Sequence, residues 1–291
     1  MSQSLDWKHG YFADTGYTFG YYREMAPCYL AWAALLQGVV VPTRKFRYVD
    51  LGCGQGLGLI LQAACHPESE FVGVDFMPAD VAHARRLLLA LVGGAVLSLA
   101  FPGYGLWWAA PPAIAILALV TVGVRGRAGF GLGLAFGLAF FVPTLSWSGI
   151  YLGVVPWAGL AVCQALYVGL LGWGSAVLQR RAVRPLVVAL AWVTQEALRD
   201  RTPYGGFPWV RVAFSQADSP FGQVAALGGA PAVTFLVALA GGFLAYAVHA
   251  AYRLATTTPP EPHRGTQVVR GSAAALAAAL VGLVVPVPTE G

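Results

Sequence analysis

From residue 87 onward the chain is built of apolar runs, at 87–101, 106–124, 129–148, 155–178, 183–198, 225–250 and 270–288. Several approach the roughly 20 residues that a helix needs to cross a bilayer. Charge almost disappears there: residues 87–291 hold eleven Arg, no Lys and five acids, whereas the shorter stretch 1–86 holds seven Lys or Arg and eight acids. With 57% hydrophobic residues and a mean hydropathy of +0.64, the chain lies well outside the globular norm. Residues 87–291 therefore read as a mostly α-helical polytopic membrane domain of about seven spans, and residues 1–86 as a separate segment of soluble composition.

The net charge of +5 does not point to nucleic acid, because the basic excess sits in short loops between apolar runs. Arginines fall at 125 and 127, at 180, 181 and 184, and at 253, 264 and 270, which are alternate loops. This is the asymmetry that orients membrane proteins, and it places those loops and the N-terminus in the cytoplasm. Seven spans would leave the C-terminus outside. The first ten residues lack an apolar core behind a basic start, so no cleavable signal peptide is expected. Cys28, Cys53, Cys65 and Cys163 have neither metal-ligand nor disulfide spacing and read as reduced, and no metal site is expected.

Within residues 1–86, Phe46-Arg-Tyr-Val-Asp50 is a strand pattern running into Leu51-Gly-Cys-Gly-Gln-Gly56, after which Leu57 to Ala64 reads as a helix. Gly52, Gly54 and Gly56 let the backbone turn tightly and approach a ligand, and the helix start offers unpaired N–H groups. A second strand, Phe71-Val-Gly-Val-Asp75, ends in an acid 19 residues after Gly56, the separation of a carboxylate that accepts from ribose hydroxyls. The form acid-x-Gly-x-Gly-x-Gly, matched by Asp50 through Gly56, resembles the first motif of class I S-adenosylmethionine-dependent methyltransferases, and Asp75 matches their acid after strand two. The resemblance implies a partial Rossmann-like α/β segment, with S-adenosylmethionine as a weak cofactor expectation resting on Asp50, Gly52, Gly54, Gly56 and Asp75. Only two strands precede residue 87, too few to bury a core of useful size. The aromatic lead-in Tyr11, Phe12, Tyr17, Phe19, Tyr21 and Tyr22 reads as a packing or disordered segment in preference to a lid over a cofactor.

In the membrane stretch, Trp, Tyr, Pro and Gly gather in the connections opposite the basic loops, at 101–108, 146–157 and above all 196–220. Aromatic belts account for many of them. The last of these connections also carries Arg199, Arg201 and Arg211 on the outer side, against the charge rule, which marks it as a functional loop. Glu196, three residues from Arg199 and four from Asp200, reads there as a functional acid or as part of interfacial ion pairing. Gly129, Gly133 and Gly137, at four-residue spacing, read as a helix-packing face. Gly206-Phe-Pro-Trp209, Ser215-Gln-Ala-Asp218 and Leu227-Gly-Gly, with Phe101-Pro-Gly-Tyr-Gly and Pro143 through Trp157, resemble the membrane part of bacterial apolipoprotein N-acyltransferase. The resemblance implies a bacterial inner-membrane protein that handles phospholipid and lipoprotein through Trp147, Tyr151, Glu196, Phe207, Pro208, Trp209, Arg211, Gln216 and Asp218.

In that family a nitrilase-like domain supplies a Cys nucleophile, a Glu base and an oxyanion-stabilising Lys. Both lysines here, Lys8 and Lys45, lie in the first segment, and Cys163 lies within an apolar run. The expectation is a truncated methyltransferase segment, 1–86, joined to an acyltransferase membrane domain, 87–291, inactive alone. The alternatives are a membrane-tethered methyltransferase and a lipid- or lipoprotein-binding module served by a separate nitrilase-like partner.

Overall fold

The computed structural model describes residues 20–256, 269–274 and 277. They divide into two compact units that meet between Leu88 and Leu89. Most of the aromatic lead-in and most of the 270–288 run lie outside the described residues.

In the first unit, a 3-10 turn at Arg23–Met25 leads into α1 (Pro27–Leu36), with proline at its first position, where no N–H is needed. Strand β1 (Arg47–Leu51), helix α2 (Leu57–Cys65) and strand β2 (Glu70–Val74) follow. The strands pair in parallel, Arg47 opposite Glu70 through Leu51 opposite Val74. Phe46, Tyr48, His66 and Phe71 form an aromatic cluster beside this pair, with ring centroids 5.3–6.0 Å apart. Among the described residues the sheet stops at two strands. Its apolar positions accordingly stay open: Leu51 is 79% exposed, and Val49 and Val74 are each 50% exposed. A doubly wound sheet would cover such positions with further strands and helices. The Rossmann-like expectation thus reduces to one strand–helix–strand unit.

Helix α3 (Pro78–Ser98) begins in the first unit, and its second half belongs to the membrane unit. There follow α4 (Ala110–Thr121), α5 (Gly126–Thr144), α6 (Ser146–Leu152), α7 (Val154–Leu178), α8 (Pro185–Arg199) and α9 (Ala225–Thr256). Four stretches, Pro78–Ser98, Gly126–Thr144, Val154–Leu178 and Pro220–Thr256, are long and apolar enough to cross a membrane. The expected count of about seven is therefore four on the described residues. The runs at 106–124 and 183–198 fall on α4 and α8, which have 12 and 15 residues. At 1.5 Å per residue these reach about 18 and 22 Å, short of a hydrocarbon core of about 30 Å.

Glycine sets how closely α5 and α7 approach. A Cβ at Gly129 would lie 2.6 Å from the Gly172 carbonyl oxygen, and one at Gly137 would lie 2.9 Å from Ala165 Cα. Between them Gly133 faces the Val168 carbonyl and Gly172. With no hydrophobic drive between helices in lipid, this backbone proximity and its dispersion contacts hold them together. Thr121 and Ser175 hydroxyls meet at 2.9 Å between α4 and α7, and Gln179 Nε2 donates to Ser175 Oγ at 2.7 Å. Gly228 and Gly229 leave helical geometry near the start of α9, ahead of Pro231, so the long helix proper follows that break.

Candidate functional site

Two charged side chains on one face of α8 organise the connection to α9. Glu196 and Arg199 are three residues apart, the spacing that stacks side chains on a helix, and they are 4% and 1% exposed. The Arg199 guanidinium donates to the carbonyls of Trp209 at 2.7 Å and Val210 at 3.3 Å, and to Gln164 Oε1 of α7 at 3.5 Å. It also lies 5.3 Å from the centre of the Phe141 ring, a cation–π distance. Glu196 accepts from the other side: Val212 N–H donates to Oε1 and Thr234 Oγ1–H to Oε2, each at 2.8 Å. Glu196 thus lies within reach of the Arg199 charge while its two oxygens are held by hydrogen bonds. It serves as a hydrogen-bond acceptor for the loop, while Asp200 pairs with Arg211.

This clamp holds a strained backbone. Val210, whose carbonyl Arg199 binds, has φ +60, a left-handed conformation that costs a β-branched residue on the order of 1–3 kcal/mol. Gly206, at φ +79, donates to Pro203 O, and a Cβ there would collide with the Asp200 backbone. Farther on, Gln216 is fully buried and donates to the Trp107 carbonyl at 3.2 Å and to Ser215 Oγ at 2.7 Å.

The fixed loop presents aromatic surface. Trp209 stacks with Phe207, centroids 6.3 Å apart, and meets Trp147 of α6 at 5.4 Å. Trp147 and Trp209 are exposed and Phe207 is half-buried. Of the sequence candidates, the structure brings together Trp147, Phe207 and Trp209 as this surface, with Glu196 and Arg211 beneath or beside it as supports. Tyr151, Pro208 and Asp218 are exposed outside these contacts, and Gln216 is a buried tie. Sequence reasoning passed over Arg199, Gln164 and Thr234 as site residues. A Glu and an Arg three apart in α8, with a lone Gln inside apolar α7, was the available signal.

The first unit has its own candidate site. Gly52, Gly54 and Gly56 take φ of +89, +51 and +76, so the turn after β1 needs glycine at each position. They line a cleft of about 140 Å³ with Asp50, Tyr21, Tyr48 and Gln62. A Cβ on Gly52 would meet open space, whereas one on Gly56 would lie 2.7 Å from Ala84 Cβ. Burial, and after it the charge of Asp75, pushes the Asp50 carboxyl above its ordinary range. Asp75 does not line the cleft. Its two oxygens accept from Gly54 N–H at 2.7 Å and Met77 N–H at 2.8 Å, so the carboxylate ties the glycine turn to β2.

The family profile described as the apolipoprotein N-acyltransferase N-terminal domain matches residues 93–243, more than half of the chain. The chain belongs to this family. The matched stretch runs from the second half of α3 into α9 and includes the Glu196–Arg199 clamp and the aromatic surface. An apolipoprotein N-acyltransferase of Mycolicibacterium smegmatis is 42% identical over 157 residues, 53% of this chain and 26% of that protein. One from Chromobacterium violaceum is 36% identical over 210 residues, 66% of this chain and 38% of that protein. An uncharacterized protein of Synechocystis is 36% identical over 85 residues, 28% of this chain and 17% of that protein. The chain thus spans well under half the length of these curated relatives.

Proposed function

We propose that residues 89–291 act as the lipid-handling membrane part of an apolipoprotein N-acyltransferase in the bacterial inner membrane. In this reading an acyl chain passes from a phospholipid ester to a thiol and then to the N-terminal amine of a lipoprotein, leaving a lysophospholipid and an amide. The observation that carries it is the α8–α9 loop, whose backbone is fixed from inside by Glu196 and Arg199 while Trp147, Phe207 and Trp209 stand together on its surface. Indole rings favour the membrane interface, where ester carbonyls and acyl chains meet. The thiol chemistry itself would come from residues outside these 291, because the cysteines present are in the first unit or, in the case of Cys163, within α7. The test is complementation in bacteria depleted of their own N-acyltransferase. The chain alone is expected to leave lipoproteins diacylated, and supplying a nitrilase-like catalytic domain with it should restore the triacylated form. Restoration by the chain alone would overturn this reading.

A second reading concerns the first unit, which we propose to be a methyltransferase-like segment fused to the membrane part. Support comes from the glycine turn and the cleft-lining carboxylate of Asp50. The fit to S-adenosylmethionine is incomplete: Asp50, Gly52, Gly54 and Gly56 would face the ligand, but Asp75 accepts from the Gly54 and Met77 N–H groups and does not line the cleft. No methyl-transfer step is therefore assigned. Calorimetric titration of the full chain with S-adenosylmethionine should show millimolar binding or none, and micromolar binding would favour a membrane-tethered methyltransferase.

A further inference from the structure

Between α7 and α8 runs an apolar groove of about 460 Å³, lined by Tyr167, Leu170, Trp173, Leu178 and Leu190 among others. Its α7 wall extends from Tyr167 to Leu178 and its α8 wall from Val187 to Leu198, each about 16 Å long. Leu170, Trp173 and Leu190 are each 51% exposed, so the channel opens along its length. Gly174 widens it, since a Cβ there would meet nothing within 4 Å.

Three polar side chains, Tyr167, Thr194 and Gln195, interrupt this apolar lining, and Gln195 is the buried one. Gln195 lines the groove, is 5% exposed, and its buried Oε1 has no hydrogen-bond partner. An amide oxygen buried without a partner costs on the order of 1–3 kcal/mol, and native structures rarely leave such a group unanswered. The terminal amide turns about a soft torsion, so it can meet a ligand in the groove. A hydroxyl answers it in either amide orientation, because a hydroxyl both donates and accepts. Gln195 lies one turn before Arg199, near the loop end of α8. From there the groove runs toward Leu178 and Val187 as a slot between two neighbouring helices, the shape of one alkyl chain.

We propose that the α7–α8 groove binds a single-chain lipid with a free hydroxyl, a lysophospholipid, its alkyl chain along Leu170, Trp173 and Leu190 and its hydroxyl on the Gln195 amide. A two-chain phospholipid has ester oxygens at the corresponding positions and no hydroxyl to donate there. The assignment rests on the groove and the amide alone, and holds whether or not the chain takes part in acyl transfer.

The test uses the full chain in phospholipid nanodiscs and a lysophosphatidylethanolamine carrying a diazirine midway along its chain. Photolabelling is expected to concentrate on residues 167–178 and 187–198. Excess unlabelled lysophosphatidylethanolamine should reduce it at least fivefold, while the 2-O-methyl ether and the diacyl lipid should not. Gly174→Leu, which fills open space without a clash, should abolish the labelling. Gln195→Leu should keep chain labelling but lose the preference over the O-methyl ether. Labelling spread evenly over α3, α5 and α9, equal competition by all three lipids, or unchanged labelling in Gly174→Leu would overturn the proposal.

Discussion

Arg199 is the residue on which the α8–α9 loop depends most, because it satisfies two carbonyls of a strained turn while itself shielded from solvent. Arg199→Met should cost about 3 kcal/mol or more, since charged hydrogen bonds are lost and buried carbonyls are left bare. Thermal unfolding in detergent should show it, with Trp209 fluorescence changing before the main transition. Glu196→Gln keeps an acceptor for Val212 N–H and should cost only about 1 kcal/mol, whereas equal losses in the two variants would contradict the division of labour drawn between them. In the first unit, the Asp50 carboxyl sits above its ordinary value of 3.8 through burial and the charge of Asp75. The native state therefore binds more protons than the unfolded chain in the range just above that value, and stability falls as pH rises through it. Hydrogen exchange of the β1 amides should speed up accordingly, and Asp50→Asn should flatten that slope. Glu196 was visible in the sequence as a lone acid beside apolar residues, but its partners lie 16 and 38 residues farther on, a distance that no local pattern encodes.

The α5–α7 contact shows at the level of elements what glycine spacing can and cannot specify. The pattern at 129, 133 and 137 identifies a face for close approach, yet the facing positions Ala165, Val168 and Gly172 follow from the fold alone. Gly133→Leu should destabilise the membrane unit by more than about 3 kcal/mol, because the side chain would have to displace backbone. Gly131→Ala, where a Cβ meets nothing within 4 Å, should be neutral or stabilise by about 0.5–1 kcal/mol through helix propensity. Detergent-resistant melting of the two variants checks both signs. The apolar runs predicted six of these helical stretches in the right places. Their capacity to span was less legible, because α4 starts only after a turn at Trp107–Ala109 and α8 ends in charged residues that serve the loop. The strand–glycine turn–helix–strand order of the first unit was equally plain in the sequence. The use of Asp75 on the loop backbone was not, since spacing locates a carboxylate without saying which way its oxygens face.

Across the molecule, Arg125, Arg127, Arg180, Arg181 and Arg184 occupy the α4–α5 and α7–α8 connections without acids, while α8 and the α8–α9 connection balance Glu196, Asp200 and Asp218 with Arg199, Arg201 and Arg211. By the positive-inside tendency, the acid-free basic connections are expected on the cytoplasmic face and the α8–α9 connection on the other. In a background with the four native cysteines replaced by serine, Tyr204→Cys should react with an impermeant maleimide on intact cells, and Arg181→Cys only after permeabilisation. The reverse pattern would invert the topology. The Glu196–Arg199 clamp also has a consequence for biosynthesis. Of its partners, Phe141 and Gln164 precede α8; Trp209, Val210, Val212 and Thr234 all leave the ribosome later. A nascent chain halted after Arg199 therefore carries two ionisable groups with most of their ligands still untranslated, and α8 can settle in its final place only once α9 has been made.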